Sequence, residues 1–141
     1  MKNVIDNFRG KYYFLSNFSD SEITYEGVTY KNAEAAFQAM KVVDPKQRKT
    51  FSHLPPDRAK AKGRNVRLRH DWEKVKIQIM YEIVKAKFTQ NEDLKRKLLA
   101  TGNAMLIEGN TWNDTFWGVC RGKGKNELGK ILVKVRDELS Q

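Results

Sequence analysis

EITYEGVTYKNAEAAFQAMKVV, residues 22–43, shows both element types of this chain in one stretch. Its first part holds two short runs rich in Thr, Tyr and β-branched residues. Glu26-Gly27 separates them, which predicts a β-hairpin. Asn32 then stands where a helix cap belongs, and the apolar run from Ala33 predicts a helix. That helix should stop before Asp44-Pro45, because the residue preceding a proline avoids the α region.

Working outward, Asp44-Pro45 also reads as the cap and first turn of a second helix, about 45–52. A third, about 57–62, ends at Gly63, which reads as a left-handed terminator. Asp71 caps the longest periodic segment, 72–89, where Val75, Ile79, Ile83 and Ala86 share a stripe beside Trp72 and Met80. Another helix, about 92–100, ends at Thr101-Gly102. AMLIEG (104–109) predicts a short strand. A last helix follows Asn126, with Leu128, Ile131, Leu132, Val135 and Leu139 facing inward. Strands and helices do not alternate as parallel βαβ units would. The expected architecture is α+β. It is one helix-rich domain over residues 1–141, with a short N-terminal β-hairpin and a small strand before a Gly-rich loop and C-terminal helix.

The 141 residues suit one core. Lys and Arg number 27 against 17 Asp and Glu, a formal charge of +10. Such a surplus favours polyanions or phosphorylated ligands, with a solvated basic surface as the plainer reading. No apolar run approaches the roughly 18 residues of a membrane helix. MKNVIDNFRG lacks the apolar stretch of a signal peptide, so a cytoplasmic location is expected. A single Cys and two His give neither an internal disulfide nor zinc spacing, and no metal or cofactor is expected.

Within the first helix, Glu34, Gln38 and Lys41 interrupt a run of Ala, Phe, Met and Val. At about 100° per residue they fall within about 60° of one another. An ordinary solvent-facing stripe is one reading. A polar line this narrow also fits the wall of a cleft, with the rest of the helix buried. In a cleft, a carboxylate serves as general acid or base, and a lysine supplies a charge or a nucleophilic amine. The pair suits attack at a sugar or carbonyl carbon.

The second informative stretch is NDTFWGVCRGKGKNELG, residues 113–129. Gly122, Gly124 and Asn126 precede the last helix, with Arg121, Lys123 and Lys125 interleaved. Backbone N–H groups at a helix N-terminus, aided by three cations, suit a phosphate. The alternative is an ordinary basic turn, and neither the P-loop nor the GxGxxG pattern is matched. Asp114, beside Phe116, Trp117 and Gly118, suits ribose hydroxyls with a ring stacking on a base; a local turn or cap is its plainer role. YYFLSNF (12–18) reads as a base clamp of Phe14 and Phe18 around Ser16 and Asn17, or as a core strand and turn.

Together, FRGKYYFLSNF, YKNAEAAFQAMK, AKAKGRNVRLRHDW, LLATGNAMLIEGNTWNDTFWG and GKGKNELGKILVKVR resemble, in this order, the NADAR, or YbiA-like, family. The resemblance spans nearly the whole chain. It implies an N-glycosidase that hydrolyses the bond between ribose and an exocyclic amine. The implied substrate is ADP-ribose on guanine in nucleic acid, or a phosphoribosylamino-pyrimidine intermediate of riboflavin biosynthesis. By resemblance Glu34 matches the catalytic glutamate, Lys41 the lysine of the same block, and Asp114 the acid before Trp-Gly. Asn17, Phe18, Gln38, Trp117, Gly118 and Asn126 fall in blocks that shape the ligand pocket. Arg64 and the loop around Gly124 are expected to hold phosphate. The expected partner is thus a ribosylated small molecule or nucleic acid, not a membrane. The alternative is a non-catalytic ADP-ribose or nucleic-acid binding module.

Overall fold

The computed structural model describes residues 3–141. In chain order it holds β1 (Val4–Ile5), a 3-10 helix (Gly10–Leu15), β2 (Asp20–Tyr25), β3 (Val28–Asn32), α1 (Ala33–Ala39), α2 (Pro45–Lys49) and α3 (Pro56–Gly63). Then follow α4 (Trp72–Gln90), α5 (Glu92–Ala100), β4 (Met105–Leu106), β5 (Gly109–Asn110), β6 (Val119–Cys120) and α6 (Glu127–Leu139). The class is α+β and rich in helix. The chain divides into two compact units: Asn17–Asn91, and the N-terminal residues through Ser16 together with Glu92–Gln141.

In the Asn17–Asn91 unit, β2 and β3 form the predicted antiparallel hairpin, with Tyr25 opposite Val28. Glu26 (φ 52°) and Gly27 (φ 79°) are both left-handed, as a two-residue turn matched to strand twist requires. Ile23 and Tyr30 face each other and are fully buried. The Asn32 Oδ1 accepts from the Ala35 N–H at 2.7 Å, so the predicted cap of α1 is formed. α1 packs on β3, α3 and α4.

Four local expectations give way in this unit. First, α1 ends at Ala39. The next N–H groups reach back only three residues, Met40 to Phe37 (3.1 Å) and Lys41 to Gln38 (3.1 Å). Arg69 holds this tightened turn, donating its backbone N–H to the Lys41 carbonyl (2.9 Å) and Nη1 to the Met40 carbonyl (3.3 Å). Second, Gly63 is no left-handed terminator but the last residue of α3. A Cβ there would lie 1.8 Å from the Gln38 Oε1, so close helix approach is what demands glycine. Third, Asp71 precedes α4 without capping it. Its carboxylate takes both Arg69 Nε (2.6 Å) and Nη2 (3.1 Å). The buried face of α4 is also turned from the predicted stripe. Ile79, Met80, Ile83, Val84, Lys87 and Phe88 are buried, whereas Val75 and Ala86 are half-exposed.

In the other unit, β1 pairs in parallel with β4, and β5 in parallel with β6. The strand expected over 104–109 is therefore two pieces. The Gly109 N–H bonds the Ile107 carbonyl (2.9 Å), bending the chain between them. Residues 10–15, partly read as strand, wind as a 3-10 helix, with the Ser16 N–H on the Tyr13 carbonyl (2.9 Å). α6 buries Leu128, Ile131, Leu132 and Val135 as predicted, while Leu139 stays half-buried.

Candidate active site

Over residues 33–42, only Glu34 and Lys41 escape burial, and each is half-buried. The polar line of α1 is thus a narrow opening in a helix enclosed elsewhere. Gln38, 5% exposed, stands between them in sequence and donates Nε2 to the Glu34 Oε2 at 2.6 Å. Its Oε1 is buried without a hydrogen-bond partner and abuts Gly63. The carboxylate is thereby held by a side chain that packing itself immobilises. The Glu34 N–H donates to the Asn17 carbonyl (3.0 Å), so the buried Asn17 fixes the start of α1, while its Nδ2 meets the Met80 Sδ (3.4 Å).

Lys41 lies just past the helix, in the turn Arg69 braces. Winding at three residues per turn lines position i+3 up with i, so the tightening brings Lys41 over Gln38. Burial lowers the pKa of its amine. The Glu34 carboxylate opposes that shift, and Arg64 and Lys60 add to it. A half-buried amine pushed below its ordinary range and set near a carboxylate is suited to nucleophilic work. Arg64 is exposed at the end of α3. Lys60, four residues earlier on α3, carries its ammonium 5.8 Å from the centre of the half-buried Phe18 ring. The sequence reading missed Lys60, although its i, i+4 spacing to Arg64 was the available signal.

The remaining candidates belong to the other unit. The Asp114 Oδ1 accepts from the Phe116 (3.1 Å) and Trp117 (2.9 Å) N–H groups, the local turn role. That fixes the carboxylate plane and leaves Oδ2 for hydroxyl donors. Asn110, buried and also missed, holds Asp114 in place. Its Oδ1 accepts from the Asp114 N–H (3.1 Å) and its Nδ2 donates to the Asp114 carbonyl (2.9 Å). Trp117 meets Phe116 edge to face, with centroids 4.8 Å apart. Gly118 and Gly124 are close-packing positions. A Cβ on the first would lie 2.0 Å from the Glu108 Oε2, and one on the second 2.1 Å from the Gly118 carbonyl oxygen. The Asn126 side chain pins the start of α6, accepting from the Glu108 N–H (2.9 Å) and donating to the Leu106 carbonyl (2.9 Å).

The loop before α6 differs from the expected phosphate cradle. The N–H groups of Lys125, Glu127 and Leu128 donate to the carbonyls of Thr115 (2.8 Å), Phe116 (3.1 Å) and Trp117 (2.9 Å). These three donors at the start of α6 are engaged by backbone, so they are not presented to an anion. Among the described residues no His, Cys, Asp and Glu cluster has the makings of a metal site. No helix among them is long and apolar enough to cross a membrane.

The NADAR domain family model matches residues 6–140. The chain belongs to the NADAR domain family. The N-glycosidase YbiA of Shigella boydii is 40% identical over 147 aligned residues, covering 99% of this chain and 91% of that protein. The riboflavin biosynthesis protein VVA0006 of Vibrio vulnificus is 39% identical over 132 residues, 91% of this chain but 36% of that protein. The NMR structure of the Escherichia coli protein YbiA superposes with a TM-score of 0.86 at 39% identity, over 99% of this chain and 87% of that one. As a NADAR member with N-glycosidase relatives, the chain is an enzyme of the glycosidase class that acts on N-glycosyl bonds.

Proposed function

We propose that this NADAR domain hydrolyses the bond between a phosphorylated ribose and an exocyclic amine. Two substrates fit that description: ADP-ribose on guanine in nucleic acid, and a phosphoribosylamino-pyrimidine of riboflavin biosynthesis. The observation that carries the reading is the pairing, along one otherwise buried helix and the turn that follows it, of a held carboxylate and a lysine whose pKa is lowered.

The chemistry follows from the bond that breaks. As the C1–N bond lengthens, positive charge grows on the anomeric carbon and the departing nitrogen needs a proton. Glu34 supplies that proton and, once ionised, stabilises the cationic carbon. Its hydrogen bond from Gln38 fixes the Oε2 oxygen. For the covalent route, Glu34 protonates the ring oxygen and the C1–O4 bond breaks, leaving C1 as an iminium of the exocyclic amine. The Lys41 free amine adds to C1, and one of its protons passes through the Glu34 carboxylate to the exocyclic nitrogen. The C1–N bond to that nitrogen breaks as the Lys41 imine forms, releasing the neutral amine. Water then adds to C1, the C1–N bond to Lys41 breaks, and the products are ribose bearing its phosphate and the free base amine. In the other unit, the Asp114 Oδ2 and the Trp117 ring keep the roles the resemblance implies, a hydroxyl acceptor and a stacking surface. Asn17 and Phe18 contribute to the wall around α1. Arg64 and Lys60 balance phosphate charge.

The test offers both substrates to the purified protein and follows sugar release. Glu34→Gln should lose about three orders of magnitude in kcat, within the range of general acid–base catalysis, while retaining binding. Turnover of either substrate by Glu34→Gln at the wild-type rate would overturn the assignment.

A further inference from the structure

The chain's charge is concentrated in one place. Residues 45–69 hold nine Lys and Arg against the single Asp57, a net +8 out of +10 for the whole sequence. The other 116 residues therefore share +2. Six of the nine are exposed: Lys46, Lys49, Arg58, Lys62, Arg64 and Arg67. None of these six forms a salt bridge among the described residues. Like charges packed this closely repel, and the fold leaves them unneutralised by carboxylates.

The stretch is also tied together and tied to the site. The Lys62 Nζ donates to the Thr50 Oγ1 at 2.7 Å, joining α3 to the end of α2. The Arg48 Nε donates to the Val42 carbonyl at 2.8 Å, joining α2 to the turn that carries Lys41. Lys60 and Arg64 lie close enough to Lys41 to lower its pKa. One phosphate or diphosphate occupies two or three cations. Six exposed cations, more than one phosphate group needs, match a ligand with phosphates repeated along its length.

We propose that residues 45–69 form a track for the phosphodiester backbone of a single nucleic-acid strand, leading to Glu34 and Lys41. That the track feeds a reaction rests on the glycosidase reading; that it binds a strand does not. A single strand is the fitting form, because an exocyclic amine inside a duplex is paired and stacked and must be exposed before any side chain reaches C1. Cations that follow the backbone then bind without reading sequence.

The experiment measures binding of fluorescein-labelled, unmodified oligo(dT) by anisotropy across a range of NaCl. Thymine has no exocyclic amine, so binding is separated from turnover. Each phosphate contact contributes about −0.7 to the slope of log K against log salt for single strands. Lys46→Gln, Lys49→Gln and Lys62→Gln combined should flatten the slope by about 2. Sugar release from a small ribosylamine should stay at the wild-type rate. Lys11→Gln, Lys95→Gln and Lys130→Gln remove equal charge from the other unit and should flatten the slope by less than half as much. Thermal unfolding checks that both variants fold, and the single exposed change Lys49→Glu provides a second reading. Absence of binding at about 20 mM salt, or equal effects of the two triple variants, would overturn the track. Binding that follows the track in a protein with no turnover would instead overturn the glycosidase reading alone.

Discussion

Gly63→Ala tests how the acid at position 34 is held. The new Cβ would lie 1.8 Å from the Gln38 Oε1 and 2.7 Å from its Cδ. Ordinary contact begins near 3.4 Å, so the Gln38 amide must retreat by about 1.6 Å. Gln38 is 5% exposed, so the packing around it opposes that movement. Its 2.6 Å hydrogen bond to Glu34 breaks with the movement. Overpacking costs about 1–3 kcal/mol, and a lost hydrogen bond to a charged group about 1.5–3 kcal/mol. Alanine returns about 1 kcal/mol in helix propensity. The net loss is about 3 kcal/mol, or roughly 10 °C in Tm for a chain of this size. The released carboxylate should also lower kcat by about 10²-fold. Differential scanning calorimetry and the sugar-release assay read both effects. The double variant Gly63→Ala/Gln38→Ala removes the obstruction and should unfold near the temperature of Gln38→Ala alone, a coupling above about 1.5 kcal/mol. A Gly63→Ala protein as stable as wild type, or strict additivity in the cycle, would refute this account of the glycine.

The other expectations concern the amines and the support of Asp114. Because burial lowers the Lys41 pKa, borohydride trapping of a sugar adduct should rise with pH to a midpoint below that of an ordinary lysine; Lys41→Arg should give no adduct by mass spectrometry. Lys87, fully buried with its Nζ on the Ser19 Oγ (3.1 Å), has its pKa lowered by burial to about 7 from 10.5. Below pH 7 both the folded and unfolded chains hold that proton. Between 7 and 10.5 the unfolded chain holds more, so this group makes stability rise with pH. Lys87→Met should flatten the rise in Tm from pH 7 to 9, which melts monitored by circular dichroism will show. Asn110→Ala removes both hydrogen bonds between the Asn110 amide and the Asp114 backbone. It should cost about 2 kcal/mol, visible as a lower Tm together with a changed near-ultraviolet signal from Trp112 and Trp117.

What was legible in the sequence was what short-range chemistry decides. Glu26-Gly27 marks its turn because both positions need positive φ. Asn32 marks its cap because an amide oxygen two or three residues before a free N–H has few better partners. The apolar periodicity of α6 shows its inner face directly. Contacts distant in sequence were less legible. Nothing local announces that Arg69 will claim the Met40 and Lys41 carbonyls and end α1 early, or that it will draw Asp71 away from α4. Gly63 looked like a terminator because glycine serves both there and at close approaches, and only the position of Gln38 separates the two. The donors before α6 looked available because the carbonyls that meet them belong to a segment ten or eleven residues upstream. Glu34, Gln38 and Lys41 stood out because a polar line on an apolar helix is itself a local pattern.

Arg69 gives the amine at position 41 an unexpected dependence. The guanidinium that grips that turn is anchored by the residue preceding the chain's longest helix, so fraying at the first turn of α4 loosens the lysine's footing. A substitution on that helix's opening turn, far from any reacting atom in sequence, would therefore blur the aim of the nucleophile before it melted the fold. Selection for catalytic rate would then act on the stiffness of a helix that carries none of the proposed reacting groups.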